Sequence, residues 1–256
     1  MMRLTLGLVF LCACSATAPG STEDPDPPAP IPAPEPSATP SLPAGTPDAA
    51  APATCTAARD QLLRPVDKVS QGAVTVLAEE AGVRTLYVDA SAGGFQQAAQ
   101  NPWVYLDLTA GARVDLSDGA AASATSWDLA LKRPVLFTNG GSGGPGAGAA
   151  AFLEGKGIDA VTPADARGAV LTPEAFFDAD CNAKTDPTGA VATSFTGWYD
   201  YDQATNAVTP RPGTFVVRGA QGGLFKVQIV SYYAQPDGTP GAAGGRYLLK
   251  VAPVGS

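Results

Sequence analysis

Residues 139–146 read Asn-Gly-Gly-Ser-Gly-Gly-Pro-Gly and contain Gly141-x-Gly143-x-x-Gly146. That spacing is used where a strand-to-helix loop holds a pyrophosphate. The chemistry needs a helix after the loop, because the helix N-terminus supplies the amides and the dipole. Here Gly148, Gly155, Gly157 and Pro163 interrupt any helix that would follow, and no Gly-Lys-Ser/Thr occurs. The stretch is therefore read as a flexible surface loop joining two strands.

A second pattern lies at Asp178, Asp180, Asn182 and Asp186, whose spacing matches the start of a calcium loop. Its sixth position is Ala183 rather than Gly, and its twelfth is Gly189 rather than Glu. The competing reading is a polar loop in which Asp and Asn make turns. The chain has no histidine, and its two methionines are Met1 and Met2. A Ser-His-Asp triad, a thiol–imidazole pair and a histidine zinc site are thus excluded. No Gly-x-Ser-x-Gly elbow is present, and nothing singles out a carboxylate pair for a hydrolase. We expect no enzyme. The net charge of −8 and the lack of a Lys/Arg cluster argue against a nucleic-acid partner.

The four cysteines fall into two groups. Arg3 precedes an apolar run, Leu4 to Leu11, that is too short to span a bilayer and fits an export signal. Leu11-Cys12-Ala13-Cys14 then looks like a bacterial lipobox, with Cys14 as the acylated first mature residue. An ordinary signal peptide with an incidental Cys14 is the alternative. Ser15, rather than Asp, resembles outer-membrane sorting, on the periplasmic or the cell-surface face. Cys55 and Cys181 remain, and in an oxidising compartment they are expected to pair. Such a bridge closes a long loop, worth about 3–5 kcal/mol on the chain-entropy model.

These groups must be positioned by the chain around them. Residues 1–13 read as signal peptide and 14–54 as a lipidated, acidic, Pro-rich linker. Residues 15–54 hold 12 of the 24 prolines, five acidic residues, no basic residue and no aromatic one. Such a segment cannot bury enough apolar surface to fold, and it reads as a disordered tether. Residues 55–256 read as one domain. Period-two alternation recurs in Arg84–Ala90, Trp103–Leu108, Ser126–Arg133, Thr214–Gly219, Leu224–Tyr233 and Arg246–Ala252. In the third of these, Trp127, Leu129 and Leu131 are placed on one face and Asp128 and Lys132 on the other. Short helices are expected near Cys55–Leu63 and at Pro173–Phe177 with Thr172 as N-cap. The fold class is all-β, with a mainly antiparallel sheet.

Four pieces, in order, resemble a known family. Trp103-Val104-Tyr105-Leu106-Asp107-Leu108 is the first. Trp127-Asp128-Leu129-Ala130, then Lys132-Arg133, then Thr138-Asn139-Gly140-Gly141-Ser142-Gly143 is the second. Trp198-Tyr199-Asp200-Tyr201 with Pro210 and Phe215-Val216-Val217-Arg218 is the third, and Lys226 to Tyr233 is the fourth. Over about residues 86–254 the chain resembles the HmuY-like lipoproteins. The resemblance implies an exported, lipid-anchored, all-β protein that binds haem outside the cell for iron acquisition. In characterised members a pair of His or Met side chains ligates the iron, and this chain has neither beyond Met2. Tyrosine is the remaining ligand type, with Tyr199, Tyr201, Tyr232 and Tyr233 as candidates and Arg218 as a cation that could lower a phenol pKa. The other reading of these tyrosines is core packing. Three functions stay open: capture of haem or a related apolar ligand without histidine, a surface module for a protein or glycan, and a carboxylate-based hydrolase.

Overall fold

A computed structural model describes residues 55–186 and 189–255. The signal segment 1–13, Cys14 and the linker 14–54 lie outside the described residues. The chain enters through a helix, α1 (Thr56–Leu63), and a hairpin of β1 (Val74–Glu80) and β2 (Val83–Asp89). It continues through β3 (Val104–Asp107), β4 (Ala112–Val114), a single turn α2 (Asp118–Ala121), β5 (Leu129–Lys132), β6 (Val135–Thr138) and β7 (Ala149–Glu154). After α3 (Pro163–Gly168) come β8 (Tyr199–Asp202), β9 (Ala207–Pro210), β10 (Gly213–Arg218), β11 (Leu224–Ser231) and β12 (Arg246–Pro253).

Six strands form one antiparallel sheet in the order β1-β2-β12-β11-β10-β7. Four form a second in the order β4-β3-β5-β6, and β8-β9 is a separate hairpin. The alternation in Leu224–Ser231 sends Phe225, Val227 and Ile229 inward, as their burial shows. They join Leu86, Leu249 and Val217 from the same sheet, facing Val104, Leu106, Leu129 and Leu131 of the smaller sheet. The smaller sheet is covered on its other face too, by Leu62 and Leu63 of α1 and by Phe176. Trp103, Tyr105, Ala130 and Phe137 fill that second cluster.

This double coverage corrects the sequence reading at two residues. Trp127 does not share a face with Leu129 and Leu131; it packs in the outer cluster, 4.9 Å from the Tyr105 ring. Lys132 does not point to solvent. It is buried, with its ammonium 5.4 Å from the Trp103 ring, and burial lowers its pKa. When both faces of a strand are covered, alternation no longer separates core from water.

The helix expected at Pro173–Phe177 is absent. That stretch is extended: Thr172 pairs with Ala150 and Glu174 with Gly141. The helix lies ten residues earlier, where Thr162 and Asp165 form a capping box ahead of Pro163. The helix expected near Cys55 is α1. Its first turn is fastened by the Cys55–Cys181 disulfide, with Cα atoms 5.5 Å apart.

The glycine loop is not flexible either. Its amides turn inward: Ser142 N donates to Glu174 O, Gly146 N to Asn139 Oδ1, Ala147 N to Ala220 O and Gly148 N to Asn139 O. Arg59 of α1 donates to the carbonyls of Ser142 and Gly143. A Cβ on Gly141 would stand 2.1 Å from Glu174 O, at φ +56°. Glycine is required here for close backbone approach, not for mobility. Gly155 supplies the contrast, with φ +72° and open space around its Cβ position. We expect Gly155→Ala to cost about 1 kcal/mol, the left-handed penalty alone. Gly141→Ala should cost more than about 2 kcal/mol, because backbone must shift as well. Paired denaturant melts of the two variants check this.

Candidate functional site

The tyrosines form a group around Trp198. That ring lies 4.7 Å from Tyr199, 5.8 Å from Tyr232 and 5.7 Å from Tyr247, and Tyr233 lies 5.0 Å from Tyr232. Tyr199 and Tyr201 alternate along β8, so they share one face, half-buried against the main core. Tyr232 is fully buried. The Tyr201 hydroxyl donates to Asn206 Oδ1 at 2.6 Å, and the Tyr233 hydroxyl accepts from Val208 N at 2.9 Å. Burial pushes the Tyr199 phenol above its ordinary value, and Asp186 and Tyr201 push it further the same way. Arg218 is held elsewhere, donating to Ala147 O. The space beside Tyr199, between Asp186, Phe195 and Trp198, is about 20 Å³.

Ligation of ferric haem by tyrosine needs a phenolate, which nearby positive charge favours and burial disfavours. Tyr199 meets the opposite conditions, half-buried and beside Asp186. With no histidine, and no methionine after Met2, the described residues do not fit axial haem ligation.

The acidic loop does not gather into a cation cage. The Asp178 carboxylate accepts from Asp180 N, Asn182 N and Asn182 Nδ2, and Asp186 Oδ1 accepts from Ala190 N. These are turn-forming hydrogen bonds of the kind Asp makes to backbone just ahead of it. Among the described residues no group of three or more His, Cys, Asp or Glu side chains is placed to hold a metal ion.

Among the described residues one open cleft, about 480 Å³, runs along β7 with Phe152, Leu153 and Val170 in its wall, and two others have charged walls. The smaller of these two, about 370 Å³, brings Asp107 and Asp128 together with Thr109 and Ser126. It is the arrangement closest to a hydrolase, but its carboxylates hold backbone. Asp128 Oδ1 accepts from Ala220 N and Oδ2 from Leu108 N, both at 2.8 Å, while Asp107 Oδ1 accepts from Thr109 N and Ala110 N.

The larger cleft, about 760 Å³, lies where the end of β2 meets the start of β12. Lys68, Ser70 and Gln71 line it from the loop before β1, Asp89 and Arg246 from the two strand ends, and Asn101 from the entry to β3. Its lining contains no aromatic ring. Asp89 and Arg246 are register partners, with Nε 3.8 Å from Oδ2. Asp89 Oδ1 also accepts from Ser91 N and Ser91 Oγ. Sequence reasoning passed over these residues. Asp89 closes one alternating run and Arg246 opens another, and their opposite charges at paired strand ends were the available signal.

Buried carboxylates set the pH response of this architecture. Burial lifts Asp118, Asp128 and Glu174 above their ordinary range, so the folded protein binds these protons more tightly than the unfolded chain. Stability should therefore rise as pH falls through their raised values toward the ordinary carboxylate range of about 4. Exposed Asp165, held at about 2 by Lys156 and Thr162, and likewise Asp178, Asp202 and Asp237, have lowered values. Their contribution is lost below about pH 4. Thermal melts across pH 3–8 should show a maximum on the acid side of neutral.

A family model described as HmuY protein matches residues 99–247. No curated protein matches the chain. Solved structures that it resembles include a candidate lipoprotein from Bacteroides fragilis, at 16% identity and TM-score 0.42 over 69% of this chain and 92% of that one. A candidate HmuY-like heme binding protein from Bacteroides vulgatus matches at 16% identity and TM-score 0.40 over 67% and 91%. The apo HmuY analog of Tannerella forsythia matches at 13% identity and TM-score 0.40 over 74% and 100%. The family match spans more than half of the sequence and runs from just before β3 to the start of β12. The chain belongs to the HmuY family, as a binding protein of that type.

Proposed function

We propose that the protein is an exported, lipid-anchored binding protein that keeps the HmuY fold and captures a ligand without side-chain ligation of haem iron. The anchor is the acylated Cys14, and the outer membrane is the destination to which Ser15 points. Among the described residues no helix is long and apolar enough to cross a membrane.

The observation that carries this reading is the donor set. The chain has no His and no Met after Met2, and the tyrosines near the β8-β9 hairpin are held in core contacts and hydrogen bonds, Tyr199 with its phenol pKa pushed up. The Bacteroides vulgatus relative is described as heme binding. The same fold can carry another ligand, because function lives in sites placed on folds. Of the three functions open from sequence, the surface module for a protein or glycan fits best: the largest cleft described above has charged and amide walls and no ring on which a porphyrin could stack.

Haemin titration of the purified protein, followed by visible absorption, tests this. We expect a spectrum without a phenolate charge-transfer band, and no difference between the parent protein and its Tyr199→Phe and Tyr201→Phe variants. A saturable, shifted Soret band that either substitution abolishes would overturn the proposal and restore haem capture.

A further inference from the structure

We infer that the 760 Å³ cleft between loop 68–72, the end of β2 and the start of β12 binds an acidic sugar, with Arg246 and Lys68 receiving its carboxylate. The inference rests on the reading above, that the ligand is polar and not iron-bound.

Charge is the first argument. The whole chain carries −8, yet this cleft holds two cations, Lys68 and Arg246, against one carboxylate, Asp89. Asp89 is already engaged: Oδ1 accepts from Ser91 twice, and only its other oxygen faces the Arg246 Nε, at 3.8 Å. At that separation the guanidinium keeps donors for an incoming anion. Arginine's planar fork suits a carboxylate. Lys68, exposed on the opposite loop, adds an adaptable second charge.

The walls are the second argument. Ser70, Gln71 and Asn101 place hydroxyl and amide groups around the cations. Both Asn101 Nδ2 hydrogens are used, on Ala92 O and Gln97 O, which leaves Oδ1 as an acceptor. Ser70 is buried, and its oxygen accepts from Gly72 N at 3.1 Å, which leaves its hydroxyl hydrogen to donate. Donors and acceptors in this mixture match a ring of hydroxyls. The volume is that of a site for a small ligand, within about 300–1,000 Å³.

Rigidity is the third. Gly72 backs the cleft, and a Cβ there would stand 2.1 Å from Asp89 O. Gly245, at φ +80°, places Arg246, and a Cβ on it would meet Ser91 Cα at 2.8 Å. Arg113 fastens the loop by donating to Gly72 O at 2.9 Å. Walls fixed in this way lose little freedom when a ligand arrives.

The test is calorimetric titration of the purified protein with glucuronate and with a short oligoglucuronate, and with glucose as the neutral control. We expect saturable glucuronate binding that weakens with added salt, and glucose binding at least about tenfold weaker. Arg246→Gln and, separately, Lys68→Gln should each weaken glucuronate about tenfold, with near-UV circular dichroism unchanged. Tighter binding of the oligomer would identify a polysaccharide as the source, and equal binding a free sugar acid. Absence of glucuronate binding up to about 10 mM would overturn the inference. So would equal affinity for glucose, or affinity unchanged in both variants. The haemin spectra decide the earlier proposal independently, since Arg246 meets the tyrosine group through its backbone, its N–H donating to Tyr232 O, and Arg246→Gln keeps that bond.

Discussion

The two sheets are held in register by one buried carboxylate. Asp128 stands between Trp127 and β5, and its two oxygens reach in different directions. One accepts from Leu108 N, just past β3 of the small sheet, and the other from Ala220 N, in the turn between β10 and β11 of the large sheet. Its own N–H donates to Leu106 O, and its carbonyl accepts from Asn139 N. A buried carboxylate is tolerable only where its lone pairs are filled, and filling them fixes the position of three chain segments. Gly219 has to be glycine for the same reason, since a Cβ there would stand 2.5 Å from Asp128 Oδ1. Both faces of β5 can be apolar because this one polar group settles which sheet lies where.

A second knot extends the first. The Asn139 side chain donates to Ala124 O and Trp127 O and accepts from Gly146 N, which folds the glycine loop back beside Trp127. Glu174 then accepts four hydrogen bonds, from the amides and hydroxyls of Thr138 and Ser194. Glu174 carries its segment across the loop as an extended chain, and that is why no helix can form there. Arg59 closes the assembly from outside, with the disulfide placing α1 so that its guanidinium reaches two loop carbonyls.

Much of this was legible from the residues, and the limits have physical causes. Strands with one wet face, such as β11, announced themselves by alternation, and α1 and the Cys55–Cys181 pair were read from local pattern and compartment. What failed were the strands with two dry faces and the segments whose conformation is imposed from a distance. β7, Ala-Ala-Ala-Phe-Leu-Glu, has no alternation because its small residues lie between β10 and the Thr172 segment. Glycines in 139–148 suggested mobility, although the same composition also serves close packing, and only the partner atoms separate the two. The residues lining the large cleft carried one signal, the opposite charges of Asp89 and Arg246 at the ends of two alternating runs. Asp89 and Arg246 meet through strand pairing, and pairing between distant strands is the feature that periodicity describes least.

The residues that resemble the family signature, Trp127-Asp128 and Thr138-Asn139-Gly140-Gly141, therefore have work to do that no ligand enters. Their side chains and amides are spent on joining sheets and folding a loop. The tyrosines at β8 and just past β11 take no part in those hydrogen bonds, and Arg246 of the large cleft joins these tyrosines through backbone, its N–H donating to Tyr232 O. A chain built in this way needs no iron ligand to hold Asp128, Asn139 or Glu174, since their hydrogen bonds run to backbone and hydroxyl groups of neighbouring segments. The signature then identifies the architecture and leaves the ligand unspecified. The specificity has to be sought where side chains retain unused donors in a space open to solvent, and of the clefts described, the strand ends at Asp89 and Arg246 meet that condition best.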